Sequence, residues 1–199
     1  MRPALILAFI LLLSGCGIAA TPDATVSPGV ILSPSAASGP RISQPPVTPP
    51  TPPGTNLPAF ACADASGGTT GVANTIAGRA TEQSGYDRFV LQLDSAVPTY
   101  TVKRQATAVF QNGATGLKLT LLGNSGVVVT VHSATGATTF TGPTDFQHPE
   151  YQVLLEARQT QDFEGYVTWG LGLSRAACLR AFTLQDPARL VVDFQTTSS

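Results

Sequence analysis

Close to its C-terminus the chain reads Leu184-Gln185-Asp186-Pro187-Ala188-Arg189-Leu190-Val191-Val192-Asp193-Phe194, and few other stretches leave so little choice of fold. Asp186-Pro187 signals a turn, because proline fixes φ and an aspartate side chain can bond its own following backbone. After it, Leu190, Val192 and Phe194 share one parity, while Arg189 and Asp193 share the other. Side chains alternate across a strand, so the three apolar residues enter a core together. A strand this apolar, so near the end of a chain, needs sheet neighbours already built upstream. An all-β domain of antiparallel strands is therefore expected, closed by this segment.

The rest of the composition fits an exported β protein. Only 12% of residues are charged, the formal charge is −1, and 19 glycines and 16 prolines supply turns and loops. A balance so close to neutral carries no electrostatic footprint for nucleic acid. The N-terminus gives an address. Arg2 precedes an apolar run, Ala4 to Leu13, that is too short to span a bilayer comfortably. It ends in Leu13-Ser14-Gly15-Cys16, which resembles a bacterial lipobox. That resemblance implies a lipoprotein signal peptide over residues 1–15, cut before Cys16, with lipid placed on the Cys16 thiol and its new amino group. Several acyl chains together anchor stably where one binds reversibly, so the expected state is anchored at the outer leaflet and not spanning.

Residues 16–58 form a second region. From Thr21 to Pro58 lie 11 of the 16 prolines, with only Asp23 and Arg41 charged. Too little patterned apolar surface is present to offset the entropy of ordering this stretch, and Thr48 to Pro53 favours polyproline II. A disordered, proline-rich tether is expected.

Residues 59–199 form the folded domain, with nine Lys/Arg and eleven Asp/Glu. Tyr86 to Asp94 reads as a strong strand with Phe89, Leu91 and Leu93 inward, preceded by a weak one at Thr75 to Thr81. Tyr100 to Arg104 reads as an edge strand, where Lys103 and Arg104 would discourage edge-to-edge pairing. Leu117, Leu119 and Leu121, then Gly123-Asn124-Ser125-Gly126, then Val127, Val129 and Val131 read as a hairpin. A short strand at Thr138-Thr141, a longer one from Tyr151 to Thr160, and the run Asp162 to Leu173 follow. The three glycines of that run suggest bulges or close backbone packing. Eight to ten strands spaced by turns point to an antiparallel β-sandwich or jelly roll.

With Cys16 lipidated, Cys62 and Cys178 remain as a pair in an oxidising compartment, and a bridge between them is expected. Catalytic groupings are thin. His132 and Ser133 are adjacent on a strand and point to opposite faces, so they cannot serve as base and nucleophile together. Asp145, His148 and Glu150 cluster in sequence without a recognisable metal spacing, and a solvated loop is the simpler reading. No catalytic residue, metal or cofactor is assigned. Tyrosines are the remaining recognition groups, because aromatic faces stack on sugar rings while their polar ends stay wet. Tyr86 and Tyr166 have the parity opposite their strands' apolar residues, and Glu164 shares the parity of Tyr166. These three are the candidate glycan-binding residues. Trp169 shares parity with Val167 and Leu171 and is expected in the core.

The ordered set Gly85-Tyr86-Asp87-Arg88-Phe89, Pro98-Thr99-Tyr100, Asp162-Phe163-Glu164-Gly165 with Trp169-Gly170-Leu171-Gly172, and Asp186-Pro187-Ala188-Arg189-Leu190-Val191-Val192-Asp193 resembles the AMIN-like domain of bacterial lipoproteins. The resemblance covers about Gly71 to Phe194. It implies a β-sandwich related to the AMIN domain, which places cell-wall amidases and secretin partners at the envelope and binds peptidoglycan. The expected protein is a lipid-anchored, extracytoplasmic monomer whose sandwich binds peptidoglycan or an envelope protein. The alternative is a hydrolase acting on a wall or extracellular polysaccharide. Arg189 and Asp193 are expected to pair across neighbouring strands with Asp87 and Arg88.

Overall fold

A computed structural model describes residues 56–197. The signal peptide, the lipobox with Cys16, and the tether up to residue 55 lie outside the described residues. The described chain is all-β, with thirteen strands: β1 (Ala65–Gly67), β2 (Ala73–Gln83), β3 (Tyr86–Leu93), β4 (Tyr100–Gln105), β5 (Val109–Gln111), β6 (Lys118–Thr120), β7 (Ser125–His132), β8 (Ala134–Thr135), β9 (Asp145–Gln147), β10 (Leu154–Phe163), β11 (Tyr166–Leu173), β12 (Leu179–Leu184) and β13 (Arg189–Gln195). Six strands run in the order β1-β4-β7-β11-β10-β9 and five in the order β12-β13-β3-β2-β8, while β5 and β6 form a separate ribbon. All the pairings are antiparallel except the short one between β2 and β8.

The C-terminal alternation does what its parity requires. β13 lies between β12 and β3, setting Leu190 beside Leu91 and Val192 beside Phe89. Leu190, Val192 and Phe194 are fully buried, in one cluster with Val129, Val131, Trp169 and Leu171 from the other sheet. Phe89 and Trp169 meet across the sandwich with ring centroids 5.4 Å apart. Each such side chain taken fully from water contributes about 1.5–3 kcal/mol. The buried members of both core clusters lie between Ala73 and Phe194, and Ala65 of β1 packs against the larger one from upstream.

Two further contacts fasten the layers. Asp87 has core parity and is fully buried; one of its carboxylate oxygens accepts the backbone N–H of Val153 at 2.7 Å and of Leu154 at 2.9 Å. It thereby joins β3 to the start of β10 and satisfies two buried donors that would otherwise be costly. Cys62 and Cys178 form the expected disulfide, with Cα atoms 4.1 Å apart and a separation of 116 positions in sequence. In the chain-entropy picture a loop of that size is worth about 4–5 kcal/mol. Beside it, Ala61 and Leu179 exchange two backbone hydrogen bonds, so the incoming segment lies along the outer edge of β12.

Several local expectations are corrected. Leu117, Leu119 and Leu121 do not form a hairpin with Val127 to His132: β6 pairs with β5, and β7 lies between β4 and β11. Leu117 is 67% exposed, and Leu121 joins Ala108 and Phe110 in a second, small core. The cause is a close approach. Added Cβ atoms at Gly126 and Gly170 would come within 2.8 and 2.9 Å of the Phe110 ring, and one at Gly172 within 2.2 Å of the Leu122 carbonyl. These glycines let the β5–β6 ribbon lie on the outer face of the six-stranded sheet. Close packing is thus the role of Gly170 and Gly172, while the register shifts fall in β10, at Leu154/Glu156 and Gln159/Gln161. Residues 138–141 form a turn and not a strand, and β4 is covered over half its length by β1.

Candidate functional site

Where the ribbon stops, the outer face of the six-stranded sheet lies open. In β7, Val127, Val129 and Val131 point inward, so Val128, Thr130 and His132 point outward. In β11, Val167, Trp169 and Leu171 point inward and leave Tyr166, Thr168 and Gly170 outward. Register sets Phe163, Tyr166 and His132 in one row and Gln161, Thr168, Thr130 and Thr101 in the next. Phe163 is 60% exposed and Tyr166 43% exposed. The His132 and Tyr166 rings meet edge to face at 5.1 Å, and the Thr130 and Thr168 hydroxyls are 3.3 Å apart. An aromatic row backed by a hydroxyl row can stack against a sugar ring and exchange hydrogen bonds with its substituents.

Glu164 and Gly165 form the tight connection between Phe163 and Tyr166, with φ of 51° and 78°. Two residues with positive φ are what a two-residue hairpin with the right twist requires. Glu164 is therefore at a turn tip and not in the strand with Tyr166. Next to Phe163 lies a groove of about 470 Å³, bordered by Asn112, Phe140, Gln159, Gln161 and Asp162. Both carboxylate oxygens of Asp162 are engaged, by the Thr135 hydroxyl and by the Gly136 N–H, each at 2.9 Å.

The expected glycan-binding residues are not brought together. Tyr86 is in β3, in the other sheet, beside the guanidinium carbons of Arg88 at 5.1 Å and Arg180 at 4.9 Å from its ring centroid. Phe60 stands 6.3 Å from the same ring, so little of Tyr86 is left for stacking. Tyr100 is buried, and that burial raises its phenol pKa. Tyr151 stacks on His148 at 4.3 Å, and Trp169 is wholly in the core. His148 bonds Glu150 at 3.0 Å, and Asp145, on β9, pairs with Arg158. Its own backbone N–H, and then His148, hold the Glu150 carboxyl below the usual range. Among the described residues no group of three His, Cys, Asp or Glu could hold a metal ion. His132 and Phe163 are additions to the recognition surface. His132 was legible, having the parity opposite three valines.

The polar centre of the five-stranded sheet is Asp193, fully buried, which accepts Nε and Nη2 of Arg88 at 2.6 and 2.9 Å and Nε of Arg180 at 2.7 Å. The hydrogen bond to Asp193 raises the pKa of Arg88. The Asp193–Arg88 pairing is as expected. Arg189 departs from expectation: its Nε donates to the Pro187 carbonyl at 3.1 Å, and Asp87 faces the core instead. Arg88 and Arg180 stand directly opposite Asp193 on the flanking strands, whereas Arg189 sits four residues along β13, roughly 13 Å away at strand spacing.

No curated protein and no solved structure matches this chain. The family model of the AMIN-like domain matches residues 74–196, from the start of β2 to just past β13. Over that span, which includes both core clusters apart from Ala73, the chain belongs to the AMIN-like domain family.

Proposed function

We propose that this protein is a lipid-anchored component of the cell envelope whose sandwich binds wall glycan without transforming it. Residues 1–15 serve as the signal peptide, Cys16 carries the lipid, residues 16–58 are the tether, and residues 59–199 are the binding domain. Family membership supports an envelope location and a cell-wall partner. The observation that carries the reading is the open row Phe163, Tyr166 and His132 beside the threonine hydroxyls, since the other large aromatics among the described residues are buried or stacked. Glycan strands of peptidoglycan present flat pyranose faces that fit such a row. Tyr166 and Phe163 supply the stacking surface, and His132 holds the Tyr166 ring edge-on. Glu164, at the adjoining turn tip, is placed to accept hydrogen bonds from sugar hydroxyls. The usual glycoside hydrolase needs two carboxyl groups facing each other across one cleft, and Asp162 is the one carboxylate that lines the groove.

The test is co-sedimentation of the 51–199 fragment with purified peptidoglycan. The wild-type fragment pellets, and Phe163→Ala with Tyr166→Ala weakens binding by about 1–3 kcal/mol, the value of stacking on flat ligands taken by analogy from nucleic-acid bases. Raised salt has little effect, because Glu164 is the one carboxylate at the site and the sugar hydroxyls it meets are uncharged. A wild-type fragment left in the supernatant contradicts the reading. The anchor is tested separately: Cys16→Ser abolishes partition of the full chain into detergent, and normal partition of that variant refutes lipidation.

A further inference from the structure

The outer face of the five-stranded sheet has a charge pattern that the net charge conceals. Register places Arg180, Asp193 and Arg88 in one row across β12, β13 and β3. Arg79, opposite Val90, stands in the next row, and Arg189, opposite Gln92, in the one beyond. A hydrogen bond of 3.2 Å from Arg79 to Gln92 confirms that these rows share a face. The described residues hold nine Lys/Arg and eleven Asp/Glu, yet four of the nine cations stand in these rows against one carboxylate, Asp193; Asp94, one residue past β3 on the parity of Gln92, is bonded through both oxygens by Asn74. Glu82, opposite Asp87, has the other parity, and Asp186 sits in the turn before β13.

The face is also built to hold those cations in place. Arg88 gives Nε and Nη2 to Asp193, and Arg180 gives only Nε. Arg88 also makes a side-chain hydrogen bond with Tyr86, whereas among the described residues no acceptor takes the Nη donors of Arg180; the two side chains keep 22% and 12% of their surface exposed. Phe60, Tyr86 and Phe182 flank the guanidinium groups at 4.4–6.0 Å. Held planes with spare forked donors suit the oxygens of phosphate groups. The connection toward the N-terminus arrives at the same place, since Phe60 stacks on Arg180 and Cys62 is tied to Cys178 two residues before it.

We infer that this arginine face docks on the anionic phosphate headgroups of the membrane surface to which the chain is anchored. The choice of a membrane rests on the anchored reading above; the preference for phosphate rests on the face alone. Charge complementarity and the place of Phe60 and Cys62, just past the expected tether, at this face together favour a headgroup surface over a soluble partner. Docking here would turn the opposite face, with Phe163, Tyr166 and His132, away from the bilayer.

The test uses the 51–199 fragment, which closes its own core and lacks Cys16, with vesicles of phosphatidylcholine alone or mixed with phosphatidylglycerol. The fragment is expected to pellet with the anionic vesicles only, and less so as salt is raised. Arg79→Gln with Arg189→Gln removes two cations that do not touch Asp193. At about fivefold per basic residue, this variant binds about 25-fold more weakly with an unchanged melting temperature. Equal binding to neutral vesicles, no binding to anionic ones, or an undiminished double variant overturns the inference. Arginine-dependent binding seen only on walls rich in anionic polymer, and never on vesicles, overturns the membrane assignment in favour of that polymer. Because the fragment carries no lipid, these outcomes are independent of the detergent-partition result for Cys16→Ser.

Discussion

The two outer faces of the sandwich start from the same rule and end as opposites. In each sheet, alternation sends one parity, mostly valine, leucine and phenylalanine, inward and leaves the other, which includes Val90, Val128 and Val191, to face outward. On the five-stranded sheet that outer parity carries arginines, one shared carboxylate and aromatic rings that hold the guanidinium groups. On the six-stranded sheet it is divided. The β5–β6 ribbon covers one part through bare glycines, and a row of exposed rings and hydroxyls forms the other. The core is thus indifferent to what stands outside it, so each face can be tuned to its own partner. A charged face acts at a distance and responds to salt, whereas an aromatic row acts by contact and does not.

Breaking the two faces should therefore have unequal costs. The largest effect is expected at Asp193→Ala, which leaves two partly buried guanidinium groups without their acceptor. Removing one member of a buried ion pair costs about 3–5 kcal/mol, and the partial exposure of both arginines puts this site toward the lower figure. Urea unfolding read by tryptophan fluorescence measures it, because Trp169 is the sole tryptophan and lies in the core. A loss below about 1 kcal/mol would show that Asp193 does not organise that face. A smaller effect, about 1–3 kcal/mol, is expected for Gly170→Ala, whose new Cβ would press on the Phe110 ring. Its cost should fall on the ribbon first, read as faster amide exchange at Phe110 and Leu121 while exchange in β13 stays slow. Uniform loss of protection would mean that the ribbon and the main core are a single unit. The smallest effect on stability is expected from the paired substitutions Phe163→Ala and Tyr166→Ala, which remove exposed rings and should register mainly in glycan binding.

How far the sequence foretold this molecule depended on the range of the interaction involved. β3, β7, β11 and β13 were legible because period-two alternation is local and their inner parity is apolar apart from Asp87 and Ser125. The Cys62–Cys178 bridge was legible by elimination once Cys16 was assigned elsewhere. The ribbon was not. Leu117, Leu119 and Leu121 alternate cleanly, but alternation does not name a partner strand. Their pairing is set by room left at Gly126, Gly170 and Gly172, far along the chain. Tyr86 and Tyr166 had the same outward parity, and parity could not show that one would be enclosed by Arg88, Arg180 and Phe60 while the other stayed open. The arginine face escaped notice for a related reason. Arg79, Arg88, Arg180 and Arg189 are scattered over four strands, and only register gathers them.

The central claim is that the two faces bind different things, and a crossed binding measurement tests it most directly. Wild-type 51–199, the Phe163→Ala/Tyr166→Ala variant and the Arg79→Gln/Arg189→Gln variant are each sedimented with peptidoglycan and with phosphatidylglycerol vesicles. The account predicts that the aromatic variant loses peptidoglycan and keeps the vesicles, while the arginine variant loses the vesicles and keeps peptidoglycan. A variant that loses both ligands while still folded, or two variants that lose neither, would contradict it.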